Sequence, residues 1–206
     1  MLYPRETCDG LLVEEAQMVN YGEHLAMEHR IVRLSGAITG EFAFHDFLMA
    51  LDSLSHEPIK ILITSPGGDL DSAFLLCDTL KIIKSPIITI GRYCASAACL
   101  ILASGNERYL YPHAKTMLHL PAGQMGGDAR DWEIQHRQMT IYKNKIIDIL
   151  IEAGVKKKRE EILIDIDRDF WMDSQETIDY GLADKILTGE KWLEFIGGHN
   201  ASRSIT

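Results

Sequence analysis

An α/β fold with largely parallel strand pairing is what the sequence predicts, and two observations carry that expectation. Short, mostly aliphatic runs of the kind covered on both sheet faces alternate with longer segments whose apolar residues recur at steps of three and four. The composition agrees, with 46% apolar and 25% charged residues, and it excludes wholesale disorder and fibrous or low-complexity architectures. A chain of 206 residues has room for one domain, and neither an internal repeat nor a linker interrupts it.

The elements follow in order. Ile31–Leu34 is the first strand and Glu41–Leu54 the helix after it. Ile61–Thr64 is the second strand, and the helix over Asp69–Lys84 carries Leu70, Ala73, Phe74, Cys77, Leu80 and Ile83 as one apolar stripe. Pro86 prevents that helix from running on and opens the strand Pro86–Ile90. A helix over Ser96–Ala103 begins directly afterwards, and Tyr109–Tyr111 and Thr116–Leu118 read as two short strands. The longest helical pattern runs from about Asp128 to Ala153, with Trp132, Met139, Tyr142, Ile146, Ile149 and Ala153 on one side and Gly154 at its end. Asp173 and Glu176 make a capping box for a short helix through Tyr180, closed by Gly181. The polar, glycine-led end GGHNASRSIT is expected to be mobile.

Charge narrows the function. With 21 Lys and Arg against 30 Asp and Glu, the net charge of −9 argues against a partner bound through its phosphate backbone, so nucleic acid is not expected. No window of about eighteen apolar residues exists, so no membrane span is expected. The start MLYPRETCDGLLVEEAQ lacks a basic stretch followed by an apolar core and does not read as a secretory signal. Cys8, Cys77, Cys94 and Cys99 lack the spacing of a secreted disulfide framework, which points to a reducing, cytoplasmic setting. The run Lys156-Lys157-Lys158-Arg159 adjoins Glu160 and Glu161 and reads as a solvated helix start. His24 and His29 do not share a helical face and no H-E-x-x-H occurs, so no metal site is expected.

Three segments bear on chemistry. Ser65-Pro66-Gly67-Gly68 lies where a strand gives way to a helix, either as a turn that simply needs glycine or as a close approach to a ligand beside free N–H groups. Ser96 lies among small residues in Gly91–Cys99, either as an N-cap or as a nucleophile on a tight strand–helix junction. The spacing is not G-x-S-x-G, which argues against an α/β-hydrolase. His119 in Met117–Pro121 and Asp169 in Asp167–Met172 would serve as base and orienting acid, or as a structural histidine and half of an ion pair. Cys94 reads as a buried small residue beside the site.

In this order, SPGG, the small-residue stretch around Ser96, MLHLP, the long helix and DRDFWMDSQETIDYGLADKIL resemble the proteolytic subunit of Clp protease, over roughly Tyr21 to Thr188. The resemblance implies a crotonase-like α/β domain of repeated β-β-α units over 21–190, with a handle at about 122–154. Residues 1–20 would be an axial gate and 191–206 a mobile tail. It implies a serine endopeptidase in which Ser96 is nucleophile, His119 general base and Asp169 the acid that orients it. The N–H groups of Gly68 and Ala97 would form the oxyanion hole, where a glycine turn and a helix start converge on one developing charge. Ala122–Gly127, with Gly123, Gln124 and Met125, would be a strand that pairs with extended substrate. It implies a tetradecamer of stacked heptameric rings, with Asp131 and Arg168 pairing across the ring junction. An AAA+ unfoldase would use ATP to feed in unfolded protein, and this chain would carry no cofactor.

The chain also departs from the pattern. Ala97 replaces the usual methionine after the nucleophile, which implies a larger first specificity pocket. Arg92 and Gln124 stand where glycines are usual, Thr64 where asparagine is, and Leu62 where a tyrosine lines the unfoldase dock. These mark a divergent branch. Three other readings compete: an inactive ring subunit, a phage-type capsid maturation protease and a crotonase-type acyl-CoA enzyme. All three triad positions are filled, MLHLP and DRDF count against the phage type, and residues 60–80 lack the basic character a CoA site wants.

Overall fold

The structure is a computed structural model that describes residues 26–40, 42–124 and 126–197. These fall into two compact units, one of Arg33–Leu187 and one that joins residues up to Val32 with those from Thr188. In the smaller unit a helix runs over Gly189–Phe195, so the tail expected to begin at residue 191 opens with a helix. Thr188 caps that helix by accepting from Lys191 N–H, and Phe195 is buried.

The larger unit is mixed α/β. Strand β1 (Ile31–Ser35), of which Arg33–Ser35 belong to this unit, leads to α1 (Phe42–Leu54), β2 (Ile59–Ser65), α2 (Leu70–Ile82), β3 (Ile87–Ala95), α3 (Ala97–Ala103) and β4 (Glu107–Leu118). Then come α4 (Ala129–Glu152), α5 (Arg159–Asp165), β5 (Phe170–Met172), α6 (Ser174–Tyr180) and β6 (Lys185–Ile186). The sheet order is β1-β2-β3-β4-β5, with β6 also beside β4. Strands β2, β3 and β4 are parallel, and β5 runs antiparallel to β4. Ile59, Ile61 and Ile63 of β2, Ile87, Ile88 and Ile90 of β3 and all seven residues of α3 are buried, while Leu62 is half-buried, which is why these segments read as apolar runs.

Three differences from the sequence reading have physical causes. The two strands expected over Tyr109–Leu118 are one strand, but its pairing breaks between Leu110 and Lys115, so the two halves have different neighbours. Of the stripe on α2, Leu70 is only half-buried; Ala73, Phe74, Cys77, Leu80 and Ile83 are buried as expected. On α4, only Ile146, Ile147 and Leu150 are buried, while Trp132 and Ile134 are 57% and 63% exposed. The C-terminal half of α4 docks on α2, where Tyr142 packs on Phe74 and donates to Asp71 Oδ2 at 2.7 Å. Its N-terminal half stands largely clear of its own chain.

Candidate active site

The parallel register brings the ends of β2, β3 and β4 level, with Ser65 beside Cys94, and Cys94 beside Thr116. The chain leaves the sheet just past that line, and the candidate residues lie on those exits, the usual place for a site in a parallel sheet.

Ser96 follows β3 directly. Its N–H donates to Met117 C=O at 2.7 Å, which fixes its backbone to β4. It has φ 55° and ψ −126°, a conformation that costs a non-glycine residue about 1–3 kcal/mol. Although it precedes α3 as N-cap, its side chain makes no capping bond. Instead Ser96 Oγ and His119 Nε2 are 2.7 Å apart, with both side chains half-buried. For the hydroxyl to donate to Nε2, the neutral ring carries its proton on Nδ1. The strained junction thus turns the hydroxyl away from the helix start and toward the imidazole.

The SPGG turn closes the other side. Gly67 has φ 88°, and a Cβ there would lie 2.5 Å from Ala95 O, 2.8 Å from Ser96 Cβ and 3.0 Å from Ala97 N. Only glycine lets the two turns pack this closely. Gly68 forms a parallel bridge with Ile38, in which Ile38 N–H donates to Gly67 C=O and Asp69 N–H donates to Ile38 C=O. In that pattern the bridged residue's own N–H faces the other side. The Ala97 N–H belongs to the first helical residue, which has no acceptor within its helix. Gly68, Ser96, Ala97 and His119 line one cavity of about 200 Å³, walled by Leu70, Leu100, Met117 and Ile146. Small Ala97 and half-buried Leu70 both border that space.

Asp169 is not joined to His119 by any hydrogen bond or ion pair among the described residues, and it is exposed. Its backbone is nevertheless well situated. Leu118 pairs with Phe170 and Met117 with Trp171, and Asp169 and His119 are the residues that follow where that ladder ends. Among the described residues the expected substrate strand forms no ladder at residues 121–124, and Met125 lies outside them. Gly123 and Gln124 are exposed. Asp131 and Arg168 do not meet within the chain: Asp131 accepts from Asp128 N–H in the capping box of α4, and exposed Arg168 donates to Asp167 C=O.

Cys94 and Cys99 flank Ser96 from within the core. Burial pushes the Cys99 thiol up to about 12 and the Cys94 thiol well above the ordinary range, so both stay protonated. Among the described residues no group of three His, Cys, Asp or Glu side chains could hold a metal ion, and no helix is long and apolar enough to cross a membrane. Two features escaped the sequence reading, the wall formed by Gly67 and the positive φ of Ser96. The glycine pair in SPGG was the only available signal for the first, and nothing in the residue types signals the second.

Comparison with known proteins identifies the family. The Clp protease family model matches residues 14–190. The ATP-dependent Clp protease proteolytic subunit 1 of Rhodopirellula baltica is 34% identical over 172 residues, covering 80% of this chain and 75% of that protein. The ATP-dependent Clp protease proteolytic subunit of Paracoccus denitrificans is 36% identical over 161 residues, covering 76% and 80%. Subunit 2 of Pseudomonas aeruginosa is 35% identical over 153 residues, covering 73% and 76%. With a match over most of its length and a serine–histidine pair in the cavity at the sheet's end, this chain belongs to the Clp protease family.

Proposed function

We propose that the chain is the proteolytic subunit of an ATP-dependent Clp-type protease, a serine endopeptidase that cleaves unfolded protein inside a ring assembly. The observation that carries this reading is the 2.7 Å contact between Ser96 Oγ and His119 Nε2 in a cavity also bordered by Gly68 and Ala97. Ser96 Oγ attacks the scissile carbonyl carbon as His119 Nε2 takes its proton. The carbonyl oxygen becomes an anion and accepts from the Gly68 and Ala97 N–H groups, donors each worth on the order of a hundredfold or more in rate. Collapse breaks the C–N bond, and His119 returns the proton to the leaving amine. Water, deprotonated by His119, then opens the acyl ester on Ser96 by the same route.

Asp169 is the acid that accepts from His119 Nδ1–H and holds the ring in the required tautomer. Its support is the strand register, and its carboxylate must turn inward from an exposed position. The cavity walls favour an apolar substrate side chain next to the scissile bond. Gly123, Gln124 and Met125 would pair with the substrate backbone, giving recognition that tolerates many sequences. The relatives' names, which call them ATP-dependent, support an AAA+ unfoldase as the ATP-using partner, so this chain needs no cofactor of its own. Stacked heptameric rings would cover Trp132 and Ile134 and bring Asp131 to the Arg168 of the opposite ring. Such a particle would work in the cytoplasm.

The uncoupled Asp169 favours a second reading, an assembly-only subunit. One experiment separates them. A fluorophosphonate should add once to the intact chain, and Ser96→Ala should abolish the adduct. Absence of an adduct in every size fraction would leave the assembly-only subunit.

A further inference from the structure

The free half of α4 and the segment that leads into it hold one another. Gly126 N–H donates to Gln135 Oε1 at 3.2 Å, and Gln135 Nε2 donates to Gly126 C=O at 2.8 Å. One primary amide therefore satisfies both backbone groups of a single residue, as a neighbouring strand would. One helical turn further along the same face, Met139 Cε lies 3.7 Å from where a Cβ on Gly123 would sit. The other end of the segment is fixed where Leu120 N–H donates to Ile166 C=O at 2.9 Å. Between these anchors, residues 122–124 form no ladder, and Pro121 and Ala122 line the cavity that holds Ser96.

We propose that Gln135 is a positioning residue for substrate, whose clamp on Gly126 holds the edge at 122–124 beside the cavity so that an extended peptide can pair with it. The proposal rests on the proposed function in taking 122–124 as the peptide-binding edge. A primary amide is what the task requires. A carboxylate has no proton for the Gly126 carbonyl, and asparagine is one methylene too short to reach both groups while the helix stays in place.

The test uses the full chain with Gln135→Ala and Gln135→Glu, compared in fractions of equal particle size. An internally quenched decapeptide, a short dipeptidyl fluorogenic substrate and a fluorophosphonate report on the site, and hydrogen exchange reports on the Gly126 amide. Loss of the clamp should raise KM for the decapeptide about five-fold while kcat changes less than about two-fold. Turnover of the short substrate and the acylation rate should stay unchanged. Gly126 N–H should exchange faster in Gln135→Ala but not in Gln135→Glu, which keeps the acceptor. An unchanged decapeptide KM, or an equal loss on all three reagents, would overturn the proposal. If the wild-type chain neither acylates nor hydrolyses, the catalytic reading fails, and unchanged Gly126 exchange in Gln135→Ala would then overturn the clamp on its own.

Discussion

Replacing Gly67 by alanine should disable the site without altering any group that takes part in the reaction. The methyl group would lie 2.5 Å from Ala95 O and 2.8 Å from Ser96 Cβ, and neither can give way, because Ser96 N–H is tied to Met117 at 2.7 Å. Gly36 serves as the control. Its φ of 85° nearly equals the 88° of Gly67, but nothing lies within 4 Å of its Cβ position. Gly36→Ala therefore pays only for the left-handed backbone, about 1 kcal/mol. Gly67→Ala adds overpacking against backbone, about 2–3 kcal/mol more. At roughly 2–4 °C per kcal/mol for a chain of this size, Tm should fall by about 2–4 °C in the control and about 6–16 °C at Gly67. Thermal unfolding at one protein concentration measures this, and fluorophosphonate labelling of the folded protein measures the site. Labelling should slow at least tenfold for Gly67→Ala and hold for Gly36→Ala. Equal Tm shifts together with equal labelling rates would refute the claim that the two turns share no spare room.

Three other outcomes follow from the same structure. Asp52 accepts from Ser85 N–H and Oγ–H at 2.7 Å each and from Lys84 N–H at 3.1 Å. Burial alone would raise its pKa, but these donors outweigh it and hold the carboxyl at about 2, so it stabilises the fold above pH 4 and that contribution is lost as pH falls toward 2. Asp52→Asn should cost on the order of 2 kcal/mol at pH 7 in urea unfolding, with the gap to wild type closing below pH 3. Arg108 grips Asp184 and also donates to the carbonyls of Ala153 and Gly181, at the ends of α4 and α6. A lysine cannot serve these separate acceptors, so Arg108→Lys should lose about 2–3 kcal/mol by the same assay, and a neutral result would contradict the clamp. In Cys8→Ser protein, a thiol reagent at pH 8 should label none of Cys77, Cys94 and Cys99 until the chain is unfolded, since all three are buried. Native labelling of Cys94 would mean that the core beside Ser96 opens.

How much of this could be read from residues alone depends on what each residue touches. Strands β2 and β3 were legible because the sheet is covered around them, and α6 because Asp173 and Gly181 bracket it with side-chain and backbone signals that need no distant partner. The pairing break in β4 and the short strand Phe170–Met172 were not, because their form depends on which strands lie alongside. Ser96 and His119 meet because both sit at strand ends whose levels the parallel register sets, and both were visible as residues at such ends. The role expected of Asp169 has no contact behind it: register decides where a backbone runs, while the direction of an exposed carboxylate depends on whatever approaches it. Trp132, placed in the apolar stripe expected on α4, is exposed for a similar reason, since periodicity reports that a face is apolar and not what covers it.

The bridge between Ile38 and Gly68 has a consequence for how this chain can change over time. It makes the short connection after β1 a structural part of the site, although no residue there takes part in chemistry. Inserting a single residue between Gly36 and Ile38 would move Ile38 out of register with Gly68, and the SPGG turn would lose the two backbone bonds that hold it there. Insertions should therefore be excluded from this loop and tolerated at exposed Lys157, between the backbone bonds of Lys156 to Tyr180 and of Lys158 to Glu161. A library of one-residue insertions, selected for folding and separately for labelling of Ser96, would show the difference as positions that pass the first screen and fail the second.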